Sequence, residues 1–109
     1  MELGFRFFEA PAAIIIYADS SIGQNRTLFD IGIFTQSICL AAVKYGLGTC
    51  IEAQGVMYPD VVRKFVDIPK AKQMHISIAI GYPDWDFPAN KLVSTREPVE
   101  SFTTWYGYD

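Results

Sequence analysis

The sequence is short of charge. Only 19% of its 109 residues are Asp, Glu, Lys or Arg, which is lean for a small domain with a high surface-to-volume ratio. Nine cations against twelve anions give a net charge of −3, and the cations form no cluster, so there is no electrostatic footprint for nucleic acid. One histidine and two cysteines supply no metal-ligand constellation. Cys39 and Cys50 make neither a CxxC pair nor a disulfide framework, and they read as buried reduced thiols. Long hydrophobic runs are missing too. APAAIIIYA, residues 10–18, is too short to span a bilayer, and Glu2, Arg6 and Glu9 ahead of it do not make the positive start of a signal peptide. A cytoplasmic protein without a membrane segment is expected. No repeat, low-complexity tract or linker divides the chain, so residues 1–109 read as a single domain.

What is abundant is apolar side chain. Half the residues are hydrophobic, yet a chain of this size buries only roughly 60–70% of its unfolded surface. Part of that apolar surface is therefore expected to face another polypeptide. The densest stretch is Arg26 to Ala53, RTLFDIGIFTQSICLAAVKYGLGTCIEA. Phe29, Ile33, Phe34, Ile38, Leu40, Ala41 and Ala42 approximate helical spacing, with Ile31, Cys39 and Val43 between them, which predicts a long helix buried on several sides. Thr27 is the expected N-cap with Asp30 three residues on, Lys44 suits the last turn, and Gly46 suits the left-handed C-terminal position. Gly48 then permits a close backbone approach, and Thr49–Ala53 reads as a short buried strand. Glu52 is an odd residue for a core strand, and that junction is the first candidate site.

Elsewhere, Phe5, Phe7 and Phe8 form an aromatic lead-in, and Ile14, Ile15 and Ile16 favour a strand buried on both faces. Tyr58-Pro59-Asp60 opens a shorter helix with Val61, Val62, Phe65 and Val66 on one side and Arg63 and Lys64 facing out, ended by Ile68-Pro69. Gln73–Gly81 alternates Met74, Ile76, Ile78 and Ile80 against His75, Ser77 and Ala79, the period of a strand, in a central position. From Tyr82 the chain turns irregular, with Trp85, Phe87, Phe102, Trp105, Tyr106 and Tyr108 more than a small core can absorb. This tail is expected to lie on a partner subunit.

The motifs FFEAPAAIII, FDIGIFTQSICLAAVKYGLGTC, YPDVVRKFVDIP, IAIGYPDWDFPAN and STREPVESFTTWYGY, in that order, resemble the C-terminal half of the nitroreductase family of FMN-dependent oxidoreductases. The resemblance implies an α/β (α+β) sandwich, a mixed sheet flanked by helices, in a homodimer formed through the long helix and the C-terminal tail, with FMN at the subunit interface. It also implies transfer of electrons from NAD(P)H to nitroaromatic or quinone-like acceptors by a ping-pong hydride mechanism. Family members begin with an Arg-rich segment that holds much of the FMN phosphate and ribityl chain, whereas here only Arg6 precedes the Ala-Pro strand. The chain thus reads as a fragment or a shortened relative.

Two pieces of the family's site map onto this sequence. Cys50-Ile51-Glu52-Ala53 resembles the stretch beside the isoalloxazine ring, where the N–H groups of Glu52 and Ala53 would address N5 and O4 of the flavin. Ser94-Thr95-Arg96 resembles the basic segment that clamps the phosphate, for which arginine's planar fork is suited. Neither a catalytic side chain nor a metal ligand is assigned. Plainer readings stand beside these: Glu52 as a solvated strand end, Arg96 in an ion pair with Glu97 or Glu100, His75 as a hydrogen-bonded structural residue, and Asp84 and Asp86 as solvated acids of a turn. The rival function is a flavin-free dimerisation or scaffold module on the same half-fold.

Overall fold

A computed structural model describes residues 2–108. Its centre is a three-stranded antiparallel sheet in the order β1-β3-β2, built from β1 (Ala12–Asp19), β2 (Gly48–Glu52) and β3 (Lys72–Gly81). The alternating isoleucines put β3 in the middle, as its pattern predicts. Ile78 is fully buried and stands opposite Ile14 on one side and Ile51 on the other. Because side chains alternate along a strand, Ile76, Ile78 and Ile80 share a face with Ile14, Ile16 and Ile51, while Ser77 and Ala79 share the other with Ile15 and Glu52. A bulge between Ile16 and Tyr17 ends this strict register. Beyond it, Lys72 Nζ meets Asp19 Oδ2 at 3.0 Å and ties the two strand ends. The Asp19 carboxyl is held well below the usual carboxylate range, chiefly by hydrogen bonds from the Ser21 hydroxyl and amide and then by Lys72.

Short helical elements around the sheet include α1 (Glu2–Phe5), 3₁₀ turns at Phe7–Glu9 and Gln54–Val56, and α3 (Pro59–Val62), while α2 (Gln24–Lys44) is the long helix. The helix α2 begins three residues earlier than Thr27, at an N-cap of Gly23. Thr27 is therefore not the cap: it lies in the first turn, where its hydroxyl donates back to the Gly23 carbonyl at 3.1 Å. The C-terminus is as expected. Gly46 adopts φ +70°, its N–H donates to Val43 O at 3.0 Å, and Leu47 N–H donates to Ala42 O at 3.1 Å, the paired bonds of a Schellman motif.

Three burial expectations fail for one reason: the sheet is small and two of its strands are edges. The helix α2 buries only one row against the sheet, Thr27, Thr35 and Ala42, not several sides. Of the three isoleucines of β1, only Ile16 is buried, and in β2 Cys50 and Ile51 are exposed. Arg63 departs in the opposite sense. Rather than facing out, its guanidinium folds onto β3 and donates to the Lys72 carbonyl at 2.8 Å, with an exposed 3.5 Å contact to Asp60.

By length and composition α2 could cross a membrane, with a mean hydropathy of 1.3 over 18 residues; here its inner row packs on the sheet. From Tyr82 the chain is an open arm with short 3₁₀ turns at Pro88–Lys91 and Val99–Ser101. Tyr82, Trp85, Phe102, Trp105, Tyr106 and Tyr108 are all exposed. The radius of gyration is 17.2 Å, against about 13 Å for a compact chain of this length. The tail is the part that reaches away.

Candidate functional site

The helix-to-strand junction delivers β2 to its end at Glu52, where the chain turns through Ala53 into the 3₁₀ turn. Three contacts fix this end. The Ser77 hydroxyl, fully buried on the central strand, donates to the Glu52 carbonyl at 2.8 Å. Val56 N–H closes the turn onto Ala53 O at 3.2 Å. Gly55 then passes so close to the sheet that a Cβ there would overlap the Phe7 ring and the Ser77 hydroxyl. Phe7 is brought in by an unusual local backbone: Phe7, Phe8 and Glu9 all have positive φ, at 51°, 54° and 60°. Each such non-glycine residue costs about 1–2 kcal/mol, and an Arg6–Glu9 ion pair of 2.8 Å spans the turn.

Glu52 is not a solvated strand end. It is only 7% exposed, and neither carboxylate oxygen finds a hydrogen-bond partner among the described residues. Burial pushes its carboxyl above the ordinary value of 4.5. The thiol of Cys50, two residues earlier on the same face, is raised as well, by partial desolvation of the sulfur in an otherwise exposed residue first and by the Glu52 charge second, which argues against nucleophilic use. A carboxyl raised by folding holds its proton longer in the folded state than in the unfolded. Stability is then highest below the ordinary glutamate range and falls as pH rises through the folded-state value. Leaving a buried charged group unpaired costs at least about 1–3 kcal/mol. Glu52→Gln should therefore raise the denaturation midpoint near pH 8 while changing it little near pH 4; an equal shift at both pH values would show that the carboxyl does not titrate in this way.

On the opposite face of β2, Ile51 borders an open trough of about 340 Å³ between α2 and the sheet. Leu28, Ile31 and Ile76 make it apolar, and His75 lines it too. Thr35 adds a buried hydroxyl with no partner among the described residues. So a single strand end has an anchored acid on one side and an accessible apolar wall on the other.

The second piece, Ser94-Thr95-Arg96, lies in the open arm. Arg96 Nη1 donates to Ser94 Oγ at 2.7 Å and to Thr95 O at 2.9 Å, and no ion pair with Glu97 or Glu100 forms among the described residues. Nη2 and Nε keep donors for an anion, the pattern a phosphate-binding arginine needs. No hydrogen bond or ion pair among the described residues joins this segment to Cys50–Ala53. The structure brings Cys50, Ile51, Glu52 and Ala53 together and leaves Thr95 and Arg96 apart from them. Ser77, Gly55 and Phe7 were not singled out from sequence. A serine interrupting an isoleucine strand, and a glycine three residues after Glu52, are the signals that mark them.

The Nitroreductase family profile matches residues 2–82. The chain belongs to that family. Among curated proteins it is 30% identical over 107 residues to a 4-nitrobenzoate reductase of Pseudomonas putida, covering 98% of this chain and 47% of that protein. It is 32% identical over 103 residues to a 4-nitrobenzoate reductase of Nocardioides sp. (strain LMS-CY), covering 92% and 40%. Solved structures share the fold. The FMN-dependent nitroreductase NfnB from Mycobacterium smegmatis, in complex with NADPH, superposes with a TM-score of 0.87 at 25% identity, over 95% of this chain and 46% of that one. The FMN and NADPH-dependent nitroreductase NfnB from sphigopyxis sp. strain HMH gives 0.85 at 26% identity, over 96% and 47%. The chain thus spans about half the length of the curated relatives it matches.

Proposed function

We propose that this chain forms part of an FMN-dependent oxidoreductase that moves electrons from NAD(P)H to nitroaromatic or quinone-like acceptors. The observation that carries the reading is the built end of β2. Glu52 is anchored by Ser77 and Gly55 on one face of the sheet, and Ile51 stands beside an apolar trough on the other. The donor set fits the cofactor: a rigid backbone corner at Glu52-Ala53 for the ring, and an arginine with unused donors beside Thr95 for the phosphate. When bound, FMN supplies a two-electron carrier that accepts hydride from reduced nicotinamide and returns it to an electron-poor acceptor. The residues' own work is positional. Glu52 and Ala53 would present backbone N–H groups to the ring edge, Ile51 would supply an apolar wall that excludes water, and Arg96 would hold the charged end.

Alternate use of one apolar trough by both substrates accounts for a ping-pong order. The exposed outer face of α2 and the aromatic tail support a homodimer, with the tail laid on the partner. The test is oxidation of NADPH by the FMN-supplemented chain with 4-nitrobenzoate as acceptor. Parallel initial-rate lines in varied NADPH and acceptor support the reading; a chain that takes up no FMN and shows no turnover favours the flavin-free scaffold alternative.

A further inference from the structure

The helix α2 carries three hydroxyl side chains, Thr27, Thr35 and Ser37. Thr27 Oγ1 donates to Gly23 O at 3.1 Å and Ser37 Oγ to Ile33 O at 2.9 Å, the usual bond of a helical Ser or Thr to the carbonyl four residues back. Thr35 breaks the pattern. It is 5% exposed and lines the trough between α2 and the sheet, yet its hydroxyl meets no partner among the described residues. A buried hydroxyl left in this state is rare enough to call for a partner.

A strand irregularity aims a second polar group at the same place. Neighbouring residues of a strand point to opposite faces, yet His75 and Ile76 both line the trough. The bulge is the reason. Ile16 pairs with Ile76 and Tyr17 with Met74, which leaves His75 as the extra residue with no partner in β1, and β2 ends short of it, at Glu52 opposite Ser77. The ring of His75 makes no hydrogen bond among the described residues, so it is not the internally bonded histidine that its place in an isoleucine strand suggests. The helix also gives up a side chain here. Gly32 lines the trough, and a Cβ on it would meet nothing within 4 Å, although glycine inside a helix lowers its stability.

We propose that Thr35 and His75 hold the carboxylate of a small aromatic acid whose ring lies on Ile31, Ile51 and Ile76. The proposal rests on the reading of the trough as the acceptor's place and names what selects the acceptor. A hydroxyl, an imidazole N–H and, at the exposed mouth, the Gln36 amide can each donate, a carboxylate only accepts, and no acidic residue lines the trough among the described residues. Its volume of about 340 Å³ is at the small end of ligand sites, which run from about 300 to 1,000 Å³, and suits a single ring. His75 lies three residues along β3 from Ile78, which stands opposite Ile51, a distance of about 10 Å. A para-substituted ring anchored by its carboxylate at His75 therefore points its other substituent toward Ile51 and the Glu52-Ala53 corner.

The chain has one histidine, so the imidazole C–H resonances of its proton NMR spectrum report on His75 alone, with no flavin needed. Titration of the flavin-free chain with 4-nitrobenzoate should move them to saturation, with an affinity at least about 10-fold above that for nitrobenzene, the usual gain from a hydrogen bond to a charged group. Thr35→Val keeps the side chain's shape and removes the hydroxyl. It should lower the 4-nitrobenzoate affinity, read by calorimetry, by about 10-fold or more without lowering Tm. Gly32→Leu places a good helix former where there is room, and should abolish binding of both compounds while the circular dichroism spectrum stays the same. Resonances that do not move, equal affinities for the two compounds, an unchanged affinity in Thr35→Val, or binding that survives Gly32→Leu overturns the proposal. Each of these results leaves the flavin reading standing; that reading fails instead if the chain takes up no FMN.

Discussion

Gly55→Ala should lower the stability of the fold by about 1–3 kcal/mol, the usual cost of inserting a methyl group into a filled site. The added Cβ meets the Phe7 ring on one side and the Ser77 hydroxyl on the other. Neither neighbour gives way easily. Ser77 is fully buried and already committed to the Glu52 carbonyl, and Phe7 sits in a run of left-handed residues with little freedom to rearrange. For a domain of this size the loss corresponds to a fall in Tm of at least about 4 °C, measured by thermal unfolding followed by circular dichroism. Phe7→Ala in the same background should recover part of it by opening space on one side. An unchanged Tm for Gly55→Ala would mean that the turn is not pressed against the sheet, and the anchoring of Glu52 would lose its basis.

Arg96→Ala should weaken FMN binding by about 10- to 100-fold. The guanidinium spends Nη1 on Ser94 and Thr95 and keeps its remaining donors, and one charge-assisted bond to a phosphate contributes about 1.5–3 kcal/mol. Titration by quenching of flavin fluorescence reads the change directly. Riboflavin, which lacks the phosphate, is the control: its affinity should be the same for both proteins. Equal FMN affinities would reduce Arg96 to a residue that closes its own turn, and equal losses for FMN and riboflavin would point to a collapsed tail.

The local chemistry of the chain was legible where short-range physics decides. The glycine stop of α2, the proline start of α3 and the alternating isoleucines of β3 each form as their residue types require. Burial was harder, because it depends on what lies beside an element. The isoleucines of β1 and the outer stripe of α2 have the composition of buried residues, yet the three-stranded sheet has too little area to cover them. Arg63 departs from the reading for a related reason, since its long stem reaches the Lys72 carbonyl only once the segment between α3 and β3 has folded back. At the site, the odd position of Glu52 could be read in sequence, whereas its closed environment could not. The residues that close it, Phe7, Gly55 and Ser77, come from three separate parts of the chain.

The most direct test of whether the proposed corner at Cys50–Ala53 and the arginine at position 96 hold a flavin is the visible absorption spectrum of the purified chain after incubation with FMN and gel filtration, with the mass recorded from the same peak. A flavin band that co-elutes with a dimer, in about equal amounts of FMN and chain, is the expected result. A colourless dimer would contradict the claim and leave the scaffold reading in its place.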